Sequence, residues 1–181
     1  MKVTPTPLAG VLVIEPRVFS DDRGFFLETF RAERYAEHGI VGPFVQDNLS
    51  RSVRGTLRGL HFQEPNAQGK LLQVTRGSVF DVVVDVRRGS PTFARWFGLE
   101  LTGDVPMQLW APPGFAHGFC VTSEVADFWY KCTTVYAPDC ERSIRWNDPE
   151  LAIAWPVDKP LLSAKDAEAR LLSEAPVLPR Y

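Results

Sequence analysis

Hydrophobic and polar positions alternate along most of the chain in short runs, the pattern of β-strands. Beyond a helical segment at residues 32–38, which Gly39 ends, such runs follow at short spacing, most of them separated by Gly, Pro or Asp. They are PFVQDN, TLRGLHFQ, KLLQVT, SVFDVVVDV, RWFGLEL, MQLWAP, FAHGFCV and DFWYKCTT. Many short strands, with turn signals about every eight to twelve residues, predict an antiparallel sandwich or barrel.

The two ends of the chain add detail to this pattern. Residues 11–19, VLVIEPRVF, predict a strand whose proline favours an edge position, and GFFLETF predicts a second, aromatic strand. Near the C-terminus, residues 163–172 predict a helix with Ser163 as N-cap and Asp166 at the capping-box spacing. The predicted fold is therefore all-β, a double-sheet antiparallel jelly roll with a few short, mainly C-terminal helices, in one domain over residues 1–181.

Composition narrows the functional class. A hydrophobic content of 45% in 181 residues suits one domain with a proper core, and a net charge of −2 gives no electrostatic footprint for nucleic acid or a membrane. The cysteines (Cys120, Cys132 and Cys140) are odd in number and lack metal-ligand spacing. Neither a signal-peptide core nor a membrane-spanning apolar run is present, so a cytoplasmic protein with reduced thiols is expected.

The run RGTLRGLHFQEPNAQGK carries the first candidate chemistry. His61 supplies an imidazole base and is flanked by Arg58 and Lys70, which suits work on an anionic substrate. The alternative is a surface strand with a half-buried histidine. Strict alternation places Arg58 and His61 on opposite faces. Either Gly59 marks a bulge, or one of the two side chains faces elsewhere, for example towards a partner subunit.

A second histidine, His117, follows a turn in PPGFAHGF and shares a strand face with Phe115 and Phe119. A core role is one interpretation. The spacing P-x-G-x-x-H also resembles the second metal-binding motif of cupins, which are jelly rolls. Metal-binding cupins take further ligands from an H-x-H motif that this chain lacks, so no metal site is expected.

Two tyrosines and several charged groups complete the candidates. Tyr130 alternates with Phe128 and Cys132, and a tyrosine of ordinary pKa near 10 is either a tethered core residue or an acid able to protonate a carbanion. Tyr136 lies in a loop where an aromatic ring can stack on a base. Polar groups at turns suit contact with a diphosphate or are solvated loop residues: Arg23, Glu28, Gln46, Asp47 and Asn48.

Taken together, these stretches resemble the dTDP-4-dehydrorhamnose 3,5-epimerase family over nearly the whole chain. The matching pieces are DDRGFFLE, FVQDNLS, LRGLHFQ, NAQGK, FDVVVDVRRGSPTF, QLWAPPGFAHGF, YK and LSAKD. The resemblance implies a cupin-like jelly-roll homodimer that needs no metal or organic cofactor. It also implies a dTDP-linked 4-keto-6-deoxy sugar as substrate, epimerised at the two carbons that adjoin the ketone.

The same resemblance implies roles for individual residues. His61 matches the base, Tyr130 the acid on the opposite face, and Asp166 the carboxylate that pairs with the histidine, although Asp166 also has a helix cap to serve. Lys70 matches a substrate ligand that can steady the enolate, and Tyr136 matches the aromatic that stacks on thymine. The remaining positions match contacts to nucleotide or sugar: Arg23, Glu28, Gln46, Asp47, Asn48, Arg58, His117, Glu141 and Lys165.

Three alternatives stay open at this point. A mono-epimerase of an antibiotic-sugar pathway would invert only one carbon. A metal-dependent cupin oxygenase would need a metal. A non-catalytic nucleotide-sugar-binding jelly roll would need no acid–base pair, and the presence of both His61 and Tyr130 argues against it.

Overall fold

The computed structural model describes all 181 residues, which form thirteen strands, two short α-helices and two 3₁₀ turns. The strands are β1 (Lys2–Pro5), β2 (Leu12–Glu15), β3 (Val18–Asp21), β4 (Gly24–Leu27), β5 (Gln46–Val53), β6 (Leu57–Gln63), β7 (Lys70–Arg76), β8 (Ser78–Asp85), β9 (Trp96–Thr102), β10 (Gln108–Ala111), β11 (Phe115–Val121), β12 (Val125–Cys132) and β13 (Glu141–Ser143). The helices are α1 (Ala32–Ala36) and α2 (Ala164–Ala167), and the 3₁₀ turns are Pro138–Cys140 and Leu172–Glu174.

Two antiparallel sheets face each other. The six-stranded sheet has the order β1-β2-β10-β7-β12-β5, and the five-stranded sheet has the order β13-β6-β11-β8-β9. A separate hairpin is formed by β3 and β4. The prediction of an all-β double-sheet jelly roll with few helices is confirmed.

The core lies between the sheets because alternate residues of each strand point inward. Its buried cluster joins residues of both sheets, including Leu72 and Phe128 from the six-stranded sheet and Val79, Val83 and Phe119 from the five-stranded sheet. The outer faces are covered as well. The segment around α1 packs on the six-stranded sheet, and the C-terminal segment packs on the other.

The N-terminal strand prediction is wrong in two respects. Residues 11–19 are not one strand: β2 ends at Glu15 before Pro16, and Val18 begins the separate hairpin. Nor does β2 lie at an edge, because it pairs with β10 on one side and with β1 on the other. Proline lacks an N–H for the ladder, so Pro16 separates two strands instead of lying within one.

The C-terminal helix is shorter than predicted, with α2 spanning only four residues. Ser163 does cap it, accepting a hydrogen bond from the Asp166 backbone N–H at 3.1 Å. The chain then leaves the helix because Arg170 forms a bridge with Ile144, where the Arg145 N–H donates to the Arg170 carbonyl.

Candidate active site

A cavity of about 620 Å³ opens between the sheets and is closed on one side by α2. A second cavity of about 190 Å³ adjoins it, and His61, Lys70 and Tyr130 line both. Three of the four residues predicted to be catalytic therefore lie at the junction of two compartments. Arg58, His117, Lys165 and Asp166 line the larger one, and the smaller one is lined by Gln46, Asn48, Tyr136 and Glu141.

The bulge anticipated at Gly59 places Arg58 and His61 on the same side. His61 pairs with His117 and Arg58 pairs with Phe119, so the register between β6 and β11 shifts at the intervening residues. Gly59 has φ +125°, and a Cβ there would come within 2.5 Å of the Gly118 Cα. Only glycine fits both the conformation and the close approach, and both Arg58 and His61 consequently face the cavity.

His61 is held by Asp166, as the resemblance implied. The His61 Nε2 lies 2.5 Å from Asp166 Oδ1, and the other carboxyl oxygen accepts a hydrogen bond from the Ser163 hydroxyl at 2.8 Å. Burial acts to raise the pKa of Asp166, but the contacts with His61 and Ser163 outweigh it and lower that pKa. Asp166 thus serves both roles: its backbone N–H is capped by Ser163, while its side chain fixes the orientation of the histidine ring.

Tyr130 faces His61 from the opposite wall. His61 lies on β6 of the five-stranded sheet and Tyr130 on β12 of the six-stranded sheet, and both line the same cavity. The ordinary tyrosine pKa expected from the sequence is wrong, because burial raises the pKa of Tyr130 to about 12. The phenol therefore keeps its proton at neutral pH and remains available as a donor.

Lys70 lies next to Tyr130, where β7 pairs with Cys132 of β12. Burial lowers the pKa of its ammonium group. No side chain or backbone oxygen lies within hydrogen-bonding or ion-pairing distance of its Nζ, so its hydrogen-bonding capacity is directed to whatever occupies the cavity.

The smaller compartment is held together by polar contacts. Glu141 accepts hydrogen bonds from Lys165 Nζ at 2.7 Å and from the Tyr136 hydroxyl at 2.9 Å. Burial acts to raise the pKa of Glu141, and these two partners outweigh it and lower that pKa. Gln46 accepts from the Tyr136 backbone N–H at 2.7 Å and donates to Asn48 at 3.0 Å, so the exposed Tyr136 ring stands beside amide groups able to recognise a base.

Three predicted ligands do not reach either compartment. Asp47 points to the other face of β5, where it pairs with Lys131 at 2.9 Å, because neighbouring strand residues alternate. Arg23 stands at the exposed tip of the β3–β4 hairpin and pairs with Asp21 at 2.6 Å. Glu28 follows that hairpin and pairs with Arg34 at 2.7 Å.

Two groups that hold an unpaired buried oxygen at or beside the larger compartment were not predicted from the sequence. Ser50 lines the larger compartment, and its hydroxyl oxygen is buried without a hydrogen-bond partner. Asp81 is fully buried beside His117. The signal for Asp81 was present in SVFDVVVD, where a carboxyl group interrupts the apolar residues of an otherwise buried strand. Ser50 carried no signal apart from its alternation with Asn48 and Ser52.

The arrangement suits proton transfer on a bound anion. A histidine and a protonated tyrosine face each other from the two sheets, and Arg58, Lys70 and Lys165 add positive charge between and around them. No group of three His, Cys, Asp or Glu side chains stands close enough together to hold a metal ion. None of the helices has the length and apolar character needed to cross a membrane.

Comparison with known proteins agrees with this geometry. The family model for dTDP-4-dehydrorhamnose 3,5-epimerase matches residues 5–174. The protein of that name from Pseudomonas aeruginosa is 54% identical over 181 residues, which cover 99% of this chain and 100% of the relative.

Solved structures extend the similarity to the fold. A Legionella pneumophila dTDP-6-deoxy-D-glucose-3,5-epimerase in complex with dTDP-4-keto-L-rhamnose has 52% identity and a TM-score of 0.97, with 99% of this chain and 98% of that one covered. A 4-keto-6-deoxy sugar epimerase from the novobiocin gene cluster of Streptomyces spheroides has 42% identity and a TM-score of 0.96, with 100% and 94% covered. The chain therefore belongs to the dTDP-4-dehydrorhamnose 3,5-epimerase family.

Proposed function

We propose that the protein converts dTDP-4-dehydro-6-deoxy-D-glucose to dTDP-4-dehydro-L-rhamnose by epimerisation at C3 and C5. One observation carries the proposal: His61 and Tyr130 project from different sheets into one cavity, as removal of a proton from one face of a sugar and its return to the other face requires. The relatives' activities and the ligand of the Legionella pneumophila structure support the choice of substrate.

In this mechanism His61 removes the proton next to the ketone. The breaking C–H bond leaves its electrons in an enolate, and the proton goes to the His61 ring, whose positive charge Asp166 stabilises. Lys70 steadies the enolate oxygen, and one such donor contributes roughly 3–4 kcal/mol. Tyr130 then gives its proton to carbon from the opposite face, and exchange with solvent restores both groups.

The thymine is assigned to the smaller compartment and the diphosphate to the larger one. Tyr136 stacks on the thymine while Gln46 and Asn48 hydrogen-bond its edge, and the cations Arg58 and Lys165 neutralise the diphosphate. His117 and Glu141 contact the remaining polar groups of the ligand. Supporting this assignment is the polar lining of a compartment that opens directly onto His61, Lys70 and Tyr130.

Solvent deuterium tests the proposal. Incubation of the protein with dTDP-4-dehydro-6-deoxy-D-glucose in deuterated water is expected to place deuterium at both C3 and C5, detected by NMR. Absence of incorporation at both carbons would reject the function. Deuterium at one carbon alone would assign the protein as a mono-epimerase, a second candidate that is supported by 43% identity to a dTDP-4-dehydrorhamnose 3-epimerase from Streptomyces niveus.

We further propose that catalysis needs no metal or organic cofactor, since the histidine, tyrosine and lysine already supply base, acid and enolate stabilisation. Dialysis against a strong chelator is expected to leave turnover unchanged. Loss of activity that a divalent ion restores would instead favour the cupin-oxygenase class.

The three free thiols are the form that a reducing compartment maintains, which supports a cytoplasmic location.

We also propose a homodimer. The β3–β4 hairpin exposes Phe19, Phe25 and Phe26. Strand β5 is an unpaired edge of the six-stranded sheet, and its residues Gln46 and Asn48 line the smaller compartment. A second copy whose hairpin docked along β5 would cover both features. It would also bring Arg23 and Glu28 of the partner subunit beside the cavity, which accounts for their distance from it within one chain.

A further inference from the structure

One carboxyl side chain lies in the middle of the apolar core between the sheets. Asp81 on β8 has Val79 and Val83 as its neighbours on the inner face, and pairs with Phe119 and Leu99 on the adjoining strands. It is 0% exposed. A polar group in such surroundings destabilises the fold unless it is paired, so an apolar residue would be the better choice for packing alone.

The only hydrogen-bond partner of the Asp81 side chain is His117. Asp81 Oδ2 lies 2.8 Å from His117 Nε2, whereas Asp81 Oδ1 has no partner at all. The imidazole ring also stacks on the Phe128 ring, with 5.8 Å between the ring centroids and an interplanar angle of 19°. These two contacts leave the ring little freedom to rotate.

The other ring nitrogen of His117 is left for the cavity. His117 lines the larger compartment directly opposite His61 in the β6–β11 pairing. No group of the chain hydrogen-bonds His117 Nδ1, and this nitrogen is not among the buried polar atoms that lack a partner. It is therefore the free polar atom through which His117 can meet a bound molecule.

We propose that Asp81 is a positioning residue for the epimerisation and acts through His117. By accepting the Nε2–H hydrogen bond it selects one tautomer and one ring orientation, which leaves Nδ1 to contact the substrate. The inference rests on the proposed function. It gives the cavity two histidines, each oriented by an aspartate: His61 by Asp166 on α2, and His117 by Asp81 on β8.

The isosteric variant Asp81→Asn tests this assignment. An amide can present either its oxygen or its NH₂ to Nε2, so the tautomer is no longer fixed. Because His117 binds substrate and transfers no proton, we expect KM to rise about 10–100-fold, the equivalent of one hydrogen bond to a charged group, while kcat stays within a few-fold of the wild type.

A double-mutant cycle shows whether Asp81 works through His117. His117→Ala is expected to raise KM to a similar extent, and the double variant should be no worse than His117→Ala alone. Additive losses would overturn the proposal, and so would a wild-type KM in Asp81→Asn.

Asp85→Asn is the matched control on the same strand. Asp85 is equally buried but bonds Arg87, Ser90 and Thr92 in the β8–β9 connection, away from both compartments. It should lower thermal stability and leave kcat and KM of the folded protein unchanged. If Asp81→Asn behaves in the same way, its role is structural and the proposal fails.

A spectroscopic measurement keeps the inference separate from the proposed function. The chain has only three histidines, so the ¹⁵N ring signals of His117 can be assigned by substitution. The free wild-type protein should show protonated Nε2, and Asp81→Asn a mixture of tautomers or a changed ring signal. Protonation at Nδ1 alone in the wild type would overturn the proposal whether or not Asp81→Asn folds. Failure of solvent exchange at the sugar would reject the proposed function without altering this result.

Discussion

At the scale of single residues, the two histidines of the cavity are assigned different roles because their surroundings differ. His61 and His117 are paired across neighbouring strands, and each contacts an aspartate through Nε2. The His61 side chain is 23% exposed and faces Tyr130 across the cavity, whereas His117 is 8% exposed and clamped by Phe128. A base must reach and release a proton, so the more accessible histidine suits catalysis and the clamped one suits binding.

Replacement of the base should abolish both exchange and inversion. His61→Ala is expected to lower kcat by roughly 10²–10⁴-fold, because the variant lacks the imidazole that Asp166 orients to take the proton. Substrate KM should change little, since other residues hold the nucleotide. Steady-state kinetics and NMR of solvent exchange check this, and exchange at the normal rate in the variant would contradict the assignment.

Replacement of the acid should separate the two processes. Tyr130→Phe keeps the ring that packs beside Phe128 and removes only the hydroxyl. His61 can still remove a proton and return it, so substrate protons should exchange with deuterated solvent while little inverted product forms. Full epimerase activity in this variant would show that Tyr130 is a core residue and not the acid.

At the scale of secondary-structure elements, the site depends on the irregularity in β6. A regular strand would turn either Arg58 or His61 away from the cavity, and the register shift at Gly59 brings both to it. The neighbouring strand contributes Gly118, whose backbone approaches Gly59 too closely for a side chain. The irregular pairing between β6 and β11 thus sets the position of the catalytic base, His61.

Gly59→Ala should therefore damage stability and function together. The added Cβ meets the β11 backbone at 2.5 Å and the residue keeps φ +125°, so we expect a loss of about 3 kcal/mol in the free energy of unfolding. In a domain of this size that is about 6–12 °C in Tm, with a fall in kcat as His61 shifts.

Gly55→Ala separates conformational strain from crowding. Gly55 has φ +79° with nothing within 4 Å of an added Cβ, so only about 1 kcal/mol should be lost. Equal effects of the two substitutions in thermal denaturation would show that the close approach to Gly118 is unimportant.

A second element-scale prediction concerns the end of β8. Burial acts to raise the pKa of Asp85, but hydrogen bonds from Arg87, Ser90 and Thr92 outweigh it and lower the pKa to about 2. A carboxyl whose pKa is lower in the folded state stabilises the fold above its unfolded pKa of 3.8, and this contribution is lost as the pH falls towards 2. Asp85→Asn should therefore lower Tm by several degrees at pH 7, and the difference should shrink between pH 4 and pH 2. A difference in Tm that is independent of pH would contradict this.

Much at this scale was predictable from the sequence. Alternation located β11 at residues 115–121, because a strand of a two-sheet sandwich presents alternate side chains to the core between the sheets. Pairings between distant residues were not predictable: His61 and Asp166 are 105 residues apart in the sequence, no local pattern links them, and the resemblance alone suggested that contact. The contact of Asp81 with His117 was missed because a polar residue in a buried strand does not identify its partner. The strand predicted over residues 11–19 was wrong because the sequence does not show that the β2 ladder ends at Glu15, before Pro16.

At the scale of the whole molecule, two features of one chain are left without partners. A two-stranded hairpin is marginally stable by itself, yet β3 and β4 form a separate sheet with exposed aromatic side chains. The edge strand β5 presents an unpaired backbone and the exposed side chains of Leu49 and Val53. Both features lie in the part of the chain that holds the predicted ligands missing from the cavity.

A dimer is therefore expected to be necessary for full activity and not only for stability. The wild-type protein at micromolar concentration should sediment at close to twice its 20.3 kDa chain mass. Replacing Phe25 and Phe26 together by Ser removes four rings per dimer that are 63% and 68% exposed in the single chain. That should cost about 4 kcal/mol, roughly a thousandfold in Kd. The resulting monomer should bind substrate weakly, because Arg23 of the partner subunit no longer reaches the cavity.

Val105→Ser is the matched control, since Val105 is 57% exposed but lies between β9 and β10, outside the hairpin. It should leave both mass and KM unchanged. Arg23→Ala then distinguishes contact from assembly: the variant should stay dimeric while its KM rises, because only a ligand-binding group has been removed. A wild-type protein with the mass of one chain would contradict the dimer, and a monomeric Phe25→Ser/Phe26→Ser variant with wild-type KM would show that each cavity is complete without its partner.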